Sequence, residues 1–366
     1  AGRTVALHLG KTWVYGAPSA LRGHAYYASN FPAPGGDLNG LTMGAYIPED
    51  YTYTVTNGNA TITKYTGTGG AVVIPATLGG CPVTVIGSGA FYQNNVVTSV
   101  VIPYGVTTII GYAFEQCSLT SVTIPSSVTS IGNGAFVFSG LTSGTVPDSV
   151  TSFGEWPFMG CTALASATLG DGITVLESTF TGCTALSSVT FGSGLKTIGM
   201  SSFYGCSALQ SVTIPSSVTS IGDSAFMNSG LTSITVPDSV TTIGNQAFSG
   251  CKALTSAYIG SGVSGLGQML FEQSTALTSI EVSSDNLNYK GVGGVLYNKA
   301  GTLLIACPAG YSGSLDIPSG VTTIGGMAFY KCFKLTAVTM PSSIATIGYQ
   351  VFDGCDNLTS ITFLGL

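Results

Sequence analysis

A phenylalanine recurs through this chain at a nearly fixed interval. It stands at Phe91, Phe114, Phe136, Phe158, Phe180, Phe203, Phe226, Phe248 and Phe271, then at Phe329 and Phe352, with spacings of 23, 22, 22, 22, 23, 23, 22, 23, 58 and 23 residues. A single globular core gives no reason for a fixed period. A solenoid does, because each unit buries its apolar face only against its neighbours. A length of 366 residues would otherwise suggest two or three domains. The repeat replaces that expectation with one elongated body.

The unit from Leu119 to Phe136 shows what the period contains. Leu119-Thr-Ser-Val122-Thr-Ile124 alternates apolar residues with Ser and Thr near its end, the pattern of a short strand. Pro125 cannot donate to a ladder and closes that strand. Ser126-Ser127 turns the chain, Val128-Thr-Ser-Ile131 is a second extended piece ended by Gly132, and Ala135-Phe136 turns inward again. Leu119, Val122, Ile124, Val128, Ile131 and Phe136 are therefore predicted to form one rung of a continuous core. A period of 22 or 23 residues is too short for two strands and an average helix of about 11–12 residues. Short turns or a single helical turn are expected around the phenylalanine.

The unit Ser211-Val-Thr-Ile-Pro-Ser-Ser-Val-Thr-Ser-Ile-Gly-Asp-Ser-Ala-Phe226 resembles the BspA-like (Treponema-type) leucine-rich repeat. The segment Asn288-Tyr-Lys-Gly-Val-Gly-Gly-Val-Leu-Tyr-Asn-Lys-Ala-Gly-Thr-Leu-Leu-Ile305 is similar to that family's variant repeat with a β-hairpin, which accounts for the 58-residue gap. The resemblance covers residues 51–366. It implies a mostly β, right-handed leucine-rich-repeat solenoid with short turns or single helical turns on its convex side and one β-hairpin insertion. Residues 1–50 do not match the repeat and are a candidate assembly arm. Residues 51–90 are predicted to be a capping hairpin and first repeat, since Asn57-Gly58 suits a type I′ turn. Repeats then occupy 91–280, the hairpin variant 281–313, and further repeats 314–366, with no evident C-terminal cap. The resemblance also implies a surface protein that adheres to matrix proteins or other cells, with no catalytic residues and no cofactor.

Charge narrows the function. Lys and Arg number 10 against 16 Asp and Glu, a net charge of −6, and charged residues make up 7% of the chain, against about 25% in ordinary soluble domains. So few cations cannot build a phosphate-tracking stripe, which argues against nucleic acid as a partner. No apolar run approaches about 18 residues, which argues against membrane insertion through a helix.

Seven cysteines stand three residues after a marker phenylalanine: Cys117, Cys161, Cys183, Cys206, Cys251, Cys332 and Cys355. Asn94, Ser139, Ser229 and Ser274 take the same place in other units. Exchange with Ser suggests a small, buried column position. Equivalent residues on neighbouring rungs lie about 4.8 Å apart with parallel side-chain vectors, a poor match to the converging vectors of a disulfide. Free buried thiols are therefore favoured over inter-rung disulfides or a metal site. His8 and His24 both precede the repeats, so a nucleophile-histidine pair would need that segment folded back. Glu155 and Glu177 are the nearest approach to a carboxylate pair, and Asp353, Asp356 and Asn357 form a weak candidate for Ca²⁺ that lacks the EF-hand spacing.

The exposed strand positions carry the main functional expectation. Ser121, Ser166, Ser188, Ser211 and Ser233 fall in one column, and Thr123, Thr168, Thr190, Thr213 and Thr235 in another two residues on. Residues two apart share a strand face, so the pair of columns forms a flat Ser/Thr sheet, interrupted only toward Tyr258, Glu281 and Asp316. Thr is also an ordinary exposed strand residue, and a regular Thr array that binds ice is a further alternative. Asn59 and Asn357 head glycosylation sequons. The expectation is a non-enzymatic extracellular or cell-surface recognition or adhesion protein whose partners are proteins or glycans. The alternative is a structural subunit of an extracellular filament, joined to copies of itself through residues 1–50 and the uncapped last rung.

Overall fold

The computed structural model describes residues 50–365 and, before them, the backbone of four short strands: Val5–His8, Thr12–Tyr15, Asp37–Leu38 and Leu41–Thr42. The candidate arm at 1–50, with its two histidines, otherwise lies outside the described residues.

From residue 50 onward the chain winds as a β-solenoid in which each turn stacks in parallel on the one before. The first strand of each turn, Ser-x-Thr in half of them, builds a front ladder in four blocks of three: Gly70–Val73, Val97–Val101 and Ser121–Thr123; Ser143–Val146, Ser166–Leu169 and Ser188–Thr190; Ser233–Val236, Ser256–Ile259 and Ser279–Val282; Gly313–Asp316, Leu335–Met340 and Ser360–Phe363. Two-residue bridges such as Thr108–Ile109, Ser130–Ile131 and Ser152–Phe153 form a back ladder, again pairing in parallel with the equivalent residues of the next turn. The hairpin Tyr51–Thr56/Asn59–Tyr65 starts that back ladder by pairing with Cys81–Ile86. Its Asn57 (φ 50°) and Gly58 (φ 77°) both adopt the left-handed backbone that a type I′ turn requires.

The third side is built from the phenylalanine turns. No helix occurs among the described residues; of the two expectations, short turns are realised. In every rung the residues two before and two after the marker phenylalanine have positive φ, as at Ser178 (47°) and Gly182 (73°) around Phe180. The amides consequently alternate in their use. Ser178, Phe180 and Gly182 donate across to the carbonyls of Met200, Ser202 and Tyr204, at 2.9, 2.8 and 2.7 Å. Thr181 and Cys183 donate within the turn to Ser178 and Phe180, at 3.3 and 3.0 Å. Half of the amides thus stitch rungs together and half close the turn, which leaves few buried polar backbone groups without partners.

The marker phenylalanines point inward and stack. From Tyr65 through Phe91 to Phe271 each ring lies on the next, with centroid separations between 4.8 and 5.7 Å. Leu119, Val128, Ile131 and Phe136 are fully buried, as their unit predicts, but Val122 and Ile124 are only partly buried against the core. The front ladder breaks after this strand and resumes at Ser143–Val146.

The 58-residue gap holds a second hairpin, Tyr289–Val292/Val295–Asn298. Its Gly294 carbonyl accepts the Ile280 amide at 2.9 Å, so it takes the place of the next strand beside Ser279–Val282. Asn286, fully buried, anchors its start. The side-chain amide donates to the carbonyls of Gly260 (2.9 Å) and Val263 (3.0 Å), and its Oδ1 accepts from the amides of Asn288 and Tyr289, both at 2.8 Å. In this turn Cys307 holds the phenylalanine's place, its amide donating to the Ala328 carbonyl at 2.7 Å, and the ring stack resumes at Phe329–Phe352.

Candidate functional site

The strand pleat turns every second side chain of the front ladder outward. Register aligns Ser143, Ser166 and Ser188 across three turns, and Thr145, Thr168 and Thr190 beside them. Ser121 and Thr123 pair with Ser99 and Val101, while Ser233 and Thr235 pair with Ser256 and Tyr258. All ten predicted column residues are exposed. Ser211 and Thr213, however, fall outside any strand of the front ladder. Tyr258 lies opposite Glu281 in register. Asp316 does not join them: it pairs with Thr339 in the next block, and the inserted hairpin stands between.

None of the hydroxyls in these two columns, from Ser121 and Thr123 to Ser233 and Thr235, makes a hydrogen bond among the described residues. A neighbouring column behaves differently. Thr120, Thr142 and Thr255 donate their hydroxyls to the carbonyls of Thr98 (2.9 Å), Thr120 (3.2 Å) and Thr232 (3.0 Å) one turn back. On the back ladder Thr241 does the same to Thr219 at 3.1 Å. These residues were not singled out from sequence. Their recurrence is visible there, but the direction of each hydroxyl is not.

The carboxylates are similarly engaged. Asp148 accepts the Asp171 amide (3.0 Å), Asp171 the Ser193 amide (2.6 Å), Asp223 the Asn245 amide (2.7 Å) and Asp238 the Ser261 amide (2.6 Å). That last bond holds the Asp238 carboxyl below its ordinary range. Glu177 accepts the Met200 amide at 3.1 Å; desolvation raises its carboxyl, with the Glu155 charge acting in the same direction. Each of these groups caps an amide of the following turn. Among the described residues no group of three or more His, Cys, Asp or Glu is placed to hold a metal ion.

All nine cysteines are free; Cys117, Cys161, Cys183, Cys206, Cys251 and Cys332 are buried, and Cys355 is only half-buried. Their column has a definite partner. The thiols of Cys161, Cys183 and Cys251 donate to the carbonyls of Phe136, Phe158 and Phe226 one turn back, at 3.0, 3.0 and 3.1 Å. The Ser274 hydroxyl makes the same bond to Phe248 at 2.8 Å, while Ser139 and Ser229 lie against the Cys161 and Cys251 thiols at 3.3 Å. Burial pushes the Cys117 and Cys161 thiols up to about 11 and Cys206 to about 12, so they stay protonated donors at neutral pH. At the sequons, Asn59 is exposed in the first hairpin, while the Asn357 side-chain amide donates to the Phe333 carbonyl at 2.5 Å.

A front face of this kind, repeated turn after turn over a stacked phenylalanine core, can be compared with known proteins. The profile of the BspA type leucine rich repeat region matches residues 84–179, 173–290 and 311–365. The chain belongs to the BspA-type leucine-rich repeat family. Among solved structures it is similar to a leucine-rich repeat protein from Bacteroides ovatus, at 25% identity and a TM-score of 0.62, over 86% of this chain and 94% of that one. It is also similar to a leucine-rich cell surface protein from Faecalibacterium prausnitzii, at 28% identity and a TM-score of 0.55, over 93% of this chain and 97% of that one. A search of curated proteins finds no match. No helix among the described residues is long and apolar enough to cross a membrane.

Proposed function

We propose that this BspA-type protein is a non-enzymatic recognition or adhesion protein of a cell surface, which holds extracellular protein or glycan partners on its Ser/Thr front face. The observation that carries the reading is the unengaged state of the front hydroxyls, beside a column whose Thr120, Thr142, Thr232, Thr255 and Thr278 hydroxyls each bond a carbonyl one turn back. A hydroxyl can donate and accept, and one with no internal bond exchanges water for a partner at little cost. The parallel ladder holds these groups on rigid backbone, which limits the ordering cost of association. The family, and the cell-surface description of the Faecalibacterium prausnitzii protein, support the location.

The test is a binding screen of the purified chain against immobilised extracellular-matrix proteins and host-cell glycans, repeated with Thr168→Lys, Thr190→Lys and Thr235→Lys combined. These substitutions at exposed positions are expected to leave the circular dichroism spectrum unchanged, and binding is expected to fall at least about tenfold, or about 1.4 kcal/mol. Binding that survives the triple substitution assigns recognition to another surface.

A further inference from the structure

The two left-handed positions of each phenylalanine turn are occupied by small or polar residues through much of the solenoid, as at Ser178/Gly182 and Ser201/Gly205. Three consecutive turns depart from this. Tyr112 (φ 61°), Phe138 (φ 55°) and Trp156 (φ 57°) place bulky aromatic side chains on left-handed backbone, a conformation costly for such residues. The core gains little in return. Tyr112 is 39% exposed and Phe138 52%, Tyr92 on the preceding turn is 49% exposed, and Trp156 is half-buried.

The Tyr112 and Phe138 rings are not loose. Each fills the space that a β-carbon on the next turn's glycine, Gly134 or Gly160, would need. The rings are therefore braced against the backbone of the following rung. In the column that leads to Phe138, the Gln93 side-chain amide donates to Gln116 at 2.8 Å. Tyr112 and Trp156 share the other column two rungs apart, about 10 Å at the usual spacing of paired strands, the length of a disaccharide in an extended chain. No Lys or Arg occurs between Lys64 and Lys196, while Glu115 and Glu155 adjoin the rings. An anionic polymer would meet carboxylates and no countercharge.

We infer that this aromatic rim is a binding site for a neutral polysaccharide, whose sugar rings stack on Tyr92, Tyr112, Phe138 and Trp156 and whose hydroxyls bond the amides of Gln93 and Gln116. Aromatic faces suit the C–H face of a pyranose, and amides supply donor and acceptor without charge. Rings set along three successive turns, with Tyr112 and Trp156 two rungs apart in one column, fit a polymer that repeats along its own axis better than they fit the irregular surface of a folded protein. The rim lies on the phenylalanine turns, away from the Ser/Thr front face, so this inference and the proposed function fail separately.

Trp156 makes the test local. The chain has two tryptophans, and Trp13→Phe leaves Trp156 as the single emitter. That variant is titrated with cellohexaose, xylohexaose, mannohexaose and chitohexaose, with hyaluronate as the anionic control. The expected result is a saturable change in emission with at least one neutral hexasaccharide and none with hyaluronate. The apparent Kd rises at least tenfold in Tyr112→Ala/Phe138→Ala and is unchanged in the front-face triple Lys variant. Gln93→Ala/Gln116→Ala, which removes no ring, is expected to weaken binding several-fold and serves if the ring variant does not fold. Silence with all four neutral sugars, equal affinity in the variants, or capture of a protein by the rim with no sugar response overturns the inference.

Discussion

Ser201 stands two residues before Phe203 with φ of 52°, and Gly182 stands two residues after Phe180 with φ of 73°. The rung architecture imposes the same backbone on both, but only glycine adopts it without steric cost. Ser201 spends its amide on the Asp223 carbonyl and no side-chain bond, so Ser201→Gly loses little. It is expected to raise the unfolding free energy by about 1 kcal/mol, and Gly182→Ala, which meets no close atom, to lower it by a similar amount. Urea midpoints at unchanged m-value check both. This geometry was not legible in the sequence. The position two residues before the phenylalanine reads Tyr, Gly, Trp, Ser, Gln or Met in different turns, and nothing in that mixture announces a left-handed residue.

The hairpin insertion shows how an element depends on a distant residue. Its existence was legible from the resemblance of residues 288–305 to the family's hairpin variant, which accounts for the 58-residue gap. Its anchor was not, since nothing local distinguishes the buried Asn286 from the exposed Asn288. The distinction comes from the carbonyls of Gly260 and Val263, 26 and 23 residues back, which the winding brings within reach of the Asn286 amide. Asn286→Leu keeps the volume and strands those two carbonyls and the amides of Asn288 and Tyr289. The expected loss is at least about 3 kcal/mol, with early proteolytic cleavage between residues 284 and 300. An unchanged urea midpoint and cleavage pattern would show that the hairpin stands without this residue.

For the molecule as a whole, the solenoid has no centre. Each phenylalanine from Phe91 to Phe248 touches the ring before it and the ring after it, so stability is close to a sum of rung and interface contributions. Phe180, fully buried between Phe158 and Phe203 with centroids at 5.7 and 5.4 Å, belongs to both adjoining interfaces. Phe180→Ala is expected to cost about 3–5 kcal/mol. It is also expected to split unfolding into two transitions, because the cavity weakens coupling between the blocks on either side. Differential scanning calorimetry distinguishes this from the single shifted transition of a globular core. The proposed recognition surfaces share the same logic: a change on one rung of the front face or the aromatic rim is expected to alter that rung and leave distant ones in place.

The stretch Ser-Val-Thr-Ile-Pro-Ser-Ser-Val-Thr-Ser-Ile-Gly occurs twice, at 121–132 and 211–222. Its back bridge forms both times, at Ser130–Ile131 and Ser220–Ile221. Its front strand forms only the first time, where Ser121–Thr123 pairs with Val97–Val101. The sequence alone determined the period, the inward phenylalanines, the outward Ser/Thr columns and the buried place of six of the seven column thiols, because alternation and recurrence are written in single units. Tertiary structure decided which strands pair, which Thr hydroxyls are consumed by a carbonyl one turn back, and which aromatics rest on a glycine of the next rung. Those properties belong to two rungs at once, and the groups that create them stand more than twenty residues apart along the chain.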